Sequence, residues 1–127
     1  MENREKAVVE LRPVLELHVE QSSELEKFQN ITLRPILKFQ HLVFVALFRH
    51  YIKKRKNTFY GMNVSDKLLF VNKSIKQDIT LKNSMVGMVI GLFTLEEIEF
   101  YQENDGEVSR RISTMLVQRL QSVIEAL

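Results

Sequence analysis

The chain has 127 residues, 45% of them apolar, a net charge of +2 and no cysteine. That length fits one domain with a buried core, and the lack of cysteine excludes disulfides, thiolate nucleophiles and cysteine metal sites. The charged opening residues hold no signal-peptide apolar stretch. The most apolar run, 39–48, is far short of the about 20 residues a bilayer core takes, so the sequence predicts a cytoplasmic protein with no membrane partner.

Charge is segregated along the chain. Residues 1–27 hold four Lys/Arg and seven Glu, net −3; residues 28–94 hold eleven Lys/Arg and two Asp, net +9; residues 95–127 hold three Arg and seven acids, net −4. No acid occurs from Phe28 to Val64. Such blocks shape long-range potential and encounter more than fold. The simplest expectation is that acidic ends fold back over a basic middle.

In chain order, residues 1–22 read as an extended or flexible arm. "VLELHVE" alternates Leu15, Leu17 and Val19 against Glu16, His18 and Glu20, a strand period, and Pro13 disfavours a helix running through. With no second strand in the chain, the arm would pair across a dimer. Residues 23–127 read as a single helical domain. Ser23 opens a capping box with Glu26 and a short helix follows. Thr32 then caps a helix with Ile31 and Ile36 as its hydrophobic staple and Pro35 in its first turn; the alternative is one long helix kinked at Pro35. Residues 33–56 are apolar nearly all round, which predicts a central, buried helix of roughly 35 Å.

Asn57 to Asn63 reads as a turn. Ser65 caps the next helix, with Val64 and Leu69 as its staple and Leu68, Val71 and Ile75 inward; Asp78-Ile79 breaks it and Thr80 caps another. Gly87 and Gly91 lie four apart in that helix, a spacing that predicts close approach of another backbone; the alternative is that the helix ends there. Thr94 and Glu97 form a second capping box, with Phe93 and Ile98 as its staple. "NDG" at 104–106 ends or re-caps that helix. The last helix, about 107–126, turns Val108, Ile112, Met115, Leu116, Leu120, Val123 and Leu127 inward. The prediction is all-α: a compact bundle of five or six helices around one central apolar helix, with an extended N-terminal arm.

The segments "FQNITLRPILKFQ", "KRKNTFYG", "GLFTLEEIEFY" and "RISTMLVQRLQ" resemble a family of short uncharacterised proteins of Bacteroidetes-type bacteria, some of which carry the label glyoxalase. The likeness spans roughly residues 28 to 124 and implies little chemistry by itself. Glyoxalase-type domains pair βαβββ units around a divalent metal held by His and Glu. "LHVEQSSELEKF" resembles the opening of such a unit, with His18 on its strand. His41 and His50 lie nine residues apart in a helical pattern, roughly 13–14 Å of rise, too far to share one metal.

No metalloprotease, nucleophile-elbow or phosphate-loop motif is present. The acids from Glu96 to Glu107 lack calcium-loop spacing and read as a solvated helix face. No catalytic residue, metal site or cofactor is expected. The remaining feature is "FRHYIKKRKNTFYG", whose Arg49, Lys53, Lys54, Arg55 and Lys56 form a candidate phosphate- or partner-binding patch at a helix end. Eight Phe and five Met suggest more apolar surface than a small bundle hides alone. The leading expectation is a protein–protein interaction or regulatory module, with a homodimer as one way to bury the surplus. Binding of nucleic-acid phosphates through residues 49–56 is the alternative, and a glyoxalase-type metalloenzyme the remote one.

Overall fold

The computed structural model describes residues 2–15, 23–56 and 58–127. Seven α-helices build an all-α bundle, and no strand forms among the described residues. They are α1 (Glu2–Glu10), α2 (Glu24–Phe39), α3 (His41–Lys53), α4 (Val64–Gln77), α5 (Ile79–Ile90), α6 (Leu95–Glu103) and α7 (Asp105–Gln121). Short 3-10 turns follow at Thr58–Gly61 and Ile124–Ala126.

Helix α2 starts where predicted: the Ser23 hydroxyl accepts from the Glu26 N–H at 3.1 Å. It does not stop before Thr32. Residues Gln29–Leu33 widen into a π turn, in which the Arg34 N–H reaches back to the Gln29 carbonyl. Pro35 has no N–H, and in a regular helix its ring would strike the carbonyl of Ile31. One extra residue in the turn loosens the ladder there and lets the helix continue. Thr32 is therefore no N-cap. It is buried within the helix and donates to Glu97 Oε2 at 2.8 Å. Ile31, half of the expected staple, is 49% exposed.

The predicted single helix over 33–56 is two. Gln40 leaves the helical well at φ −90 and ψ 3, and α3 departs from α2 at 62°. The bend brings two stripes, Leu33 with Ile36 and Leu37, then Phe44 with Phe48 and Ile52, onto the same core. Helix α7 is the element that touches most others: α4, α5, α6, α3 and the π turn of α2 all pack on it. Its Val108, Ile112, Leu116 and Leu120 are fully buried.

Two aromatic clusters lie within the core. Phe28 stacks on Phe100 at 4.5 Å and meets Phe93 edge-on at 5.4 Å. Phe48, Tyr51, Phe59 and Phe70 form the other. Among the eight Phe only Phe39 is exposed, so the surplus apolar surface lies elsewhere.

Two caps sit two residues before their predicted places. Asn63, not Ser65, caps α4 by accepting from the Asp66 N–H at 2.8 Å, and Val64 and Leu69 are exposed instead of stapled. Asp78, not Thr80, caps α5 through the Leu81 N–H. In both cases a side-chain carbonyl or carboxylate outcompetes a nearby hydroxyl for the free N–H groups. The Thr94 capping box forms in full. Gly87 has open space where another backbone was expected: a Cβ there would meet nothing within 4 Å.

The N-terminal arm is also corrected, because Glu2–Glu10 is helical. Its Glu, Lys, Arg and Ala residues favour a helix, and Pro13 acts only downstream of it. Val8 is buried, the Glu5 carboxylate accepts from the Leu95 N–H, and Arg4 donates to the Gly91 carbonyl. The alternating segment 14–20 lies, apart from Val14 and Leu15, outside the described residues.

Candidate functional site

The expected burial of α3 holds for one side only. Phe44, Val45, Phe48 and Ile52 face the core, while Leu42 is 78% exposed, Val43 43% and Leu47 37%. Ala46 lies exposed between them, and Phe39 adds a 44% exposed ring just before the bend. In the second half of the helix the same side carries Arg49, His50, Lys53 and Lys54. One outward face is thus apolar over its first two turns and basic over its last two.

The five residues of the predicted patch separate into two groups. Arg49 donates from Nε, at 3.0 Å, and from a terminal nitrogen to the Ala126 carbonyl, fastening the C-terminus to α3. Arg55 pairs with Asp78 at 3.0 Å and lies over the Tyr51 ring at 3.5 Å. Lys53, Lys54 and Lys56 are exposed and join no ion pair among the described residues. Lys56 closes the helix end with φ 58, the left-handed conformation that ends helices. The acidic run of α6 does not reach these lysines; the acid that meets the basic run is Asp78.

Asp78 joins the elements here. It caps α5, accepts from the Tyr51 hydroxyl at 2.9 Å and pairs with Arg55. The Leu81 N–H, then the Tyr51 hydroxyl and the Arg55 charge, hold its carboxyl below the usual range. Burial pushes the Tyr51 phenol up. These contacts fix the rim of a groove of about 420 Å3 between α3 and α5. Leu47, Leu81 and Met85 form its apolar floor, with His50 and Lys54 on one edge and Thr80 and Ser84 on the other.

A larger depression, about 570 Å3, lies between α1, α2 and α6, and there Arg12 and Glu97 satisfy each other. Arg12 donates to both Glu97 oxygens at 2.6 and 2.8 Å and to the Leu92 carbonyl. Burial pushes the Glu97 carboxyl up, but hydrogen bonds from Arg12, the Thr94 N–H and Thr32, together with the Arg12 charge, outweigh it and leave the carboxyl below the usual range. Glu97 is therefore a structural anchor and not part of a solvated face. His41 and His50 stay on one helix, and among the described residues no three His, Asp or Glu converge on a point.

No family model, curated protein or solved structure matches the chain. The apolar pattern of α3 predicts burial all round and misses its exposed side, for which one local signal exists. Leu42, Ala46, Arg49 and Lys53 follow one helical stripe, and a stripe ending in two cations has to reach water. The partners of Arg49 and Arg55 left no local signal, being 77 and 23 residues away.

Proposed function

We propose that this protein is a binding module, without catalysis, that takes an amphipathic helix of a protein partner along the outward face of α3 and the α3–α5 groove. The observation that carries this reading is the exposure of Leu42, Val43 and Leu47 beside a concave apolar groove. A soluble fold gains nothing from an apolar stripe held in water at helical spacing, whereas helix-in-groove recognition uses such anchors. The concave shape favours a rod over a flat surface. Lys54 on the edge of the groove, and Lys53 on the adjoining outward face of α3, ask for carboxylates on the partner. A symmetric pairing of two copies through α3 would set cation against cation, because residues 28–64 contain no acid.

The test is fluorescence anisotropy with a labelled helical peptide of about 18 residues, carrying a leucine stripe and glutamates at one end. A peptide with lysines in place of the glutamates is the control. The acidic peptide should bind the wild type, and Leu42→Asp/Leu47→Asp should abolish binding with the circular dichroism spectrum unchanged. Equal binding of both peptides, or binding untouched by the double substitution, refutes the reading. The free Lys53, Lys54 and Lys56 favour nucleic-acid phosphates as a second reading. Salt-steep binding of labelled DNA or RNA, lost in Lys53→Glu/Lys54→Glu, would support it.

A further inference from the structure

Away from α3, the outer side of α7 carries a second concentration of cations. Two adjoining depressions of about 310 and 300 Å3 run along it and share Met115 and Gln118. The first is bordered by Arg110 and Arg111, the second by Arg34 of α2 and Arg119 of α7. Arg111 is engaged, donating to Gln29 Oε1 at 2.8 Å. Arg34 and Arg119 are not: neither guanidinium makes a hydrogen bond or ion pair among the described residues.

Arg119 is only partly exposed. Burial and then the Arg34 charge hold its pKa below the ordinary guanidinium value. His41 is held down by burial and then by the Arg119 charge. Arg34 and Arg119 thus act on each other across a depression with no carboxylate in its lining, in the fold that elsewhere gives Arg12 a bidentate glutamate. Partly burying a charge beside a like charge costs free energy that an anion recovers. The forked guanidinium matches the oxygen spacing of phosphate. Ser122 spends its proton on the Arg119 carbonyl, at 2.6 Å, so Gln118 supplies the neutral donor at this site.

We propose that the depression between Arg34 and Arg119 is a binding site for the phosphate of a small phosphate monoester, whose organic part lies over Met115 towards Thr114. The site is independent of the α3 face and stands whether or not that face binds a helix. It was invisible in the charge blocks, because Arg119 belongs to the acidic C-terminal block and Arg34 to the basic middle.

The experiment is a nitrogen-15 chemical-shift titration of the whole chain with inorganic phosphate and with methyl phosphate. Sodium chloride at matched ionic strength is the reference. Saturable shifts should centre on Arg34 and on Gln118–Ser122 with either phosphate and not with chloride. Arg34→Gln and Arg119→Gln should each weaken binding about tenfold or more, as expected for losing one charge-assisted fork, while Lys6→Gln on α1 should not. Thermal unfolding supplies the second readout. In anion-free buffer Arg119→Gln should melt above wild type, because a repulsion is gone, and saturating phosphate should erase or reverse that gap. Equal response to chloride, or unchanged affinity in both arginine variants, overturns the proposal. So does tight, salt-steep binding of an oligonucleotide with no response to methyl phosphate, which would make the groove a backbone reader.

Discussion

Gly87 offers a sharp test of the packing described for α5. It lies in the helix interior, is exposed, and has ordinary negative φ. A Cβ added there meets nothing within 4 Å, so Gly87→Ala introduces no clash. The substitution restricts the unfolded chain and improves helix propensity, together worth about 1 kcal/mol of added stability. An unfolding entropy of about 2.1 cal/mol/K per residue converts this to a rise in Tm of about 4 °C for a chain of this length. Gly91 is the internal control. It ends α5, and its Cβ would come 3.2 Å from the Gly87 carbonyl, so Gly91→Ala should gain less. Thermal and urea unfolding followed by circular dichroism measures both, with an unchanged denaturant slope as the sign that only stability moved. A loss of stability in Gly87→Ala, or a larger gain in Gly91→Ala, would refute the open helix face.

Two further predictions probe the body of the fold. Glu97→Gln should cost about 3 kcal/mol, because the Arg12 and Glu97 side chains are only 10% and 16% exposed and breaking such a pair strands a charge. The pH dependence follows from the direction of the Glu97 shift. A carboxyl held below its ordinary 4.5 contributes fully above that value, and the contribution is lost as pH falls through the lower folded-state value. Urea unfolding of Glu97→Gln between neutral pH and pH about 3 should therefore show a shallower acid loss than wild type. An equally steep loss would place the acid-sensitive group elsewhere. The two sides of α3 should differ widely: Phe44→Ala, fully buried, should cost about 3–5 kcal/mol. Leu42→Ala, on the exposed side, should change stability by about 0.5 kcal/mol at most, and comparable costs at both sites would contradict the orientation of the helix.

Much of the local structure was legible because its causes are local. Ser23 and Thr94 each meet an N–H three residues ahead; the capping box read at Thr94 forms in full, and the one read at Ser23 forms only its hydroxyl half. The break at Asp78-Ile79 and the apolar stripe of α7 from Val108 to Leu120 repeat at helical spacing, so the all-α class follows from the chain alone. The misplaced caps at Asn63 and Asp78 show the limit of this reading. Adjacent residues compete for the same free N–H groups, and which side chain wins depends on the backbone just before the helix.

What the tertiary structure decided are relations between distant residues. Helix propensity does not say which side of an all-round apolar helix meets the core. That was settled by the bend at Gln40, which leaves Leu42, Val43 and Leu47 in water. Residues 2–10 looked like part of an arm until Arg12 found Glu97, 85 residues away, and Glu5 found the start of α6. Arg34 and Arg119 lie in charge blocks of opposite sign, 85 residues apart, and only the packing of α2 on α7 set them around one depression. Periodicity and capping act within about one helical turn. Burial, ion pairing and like-charge repulsion act across space, so which helix faces meet, and which charges remain unanswered, is decided only when the helices pack.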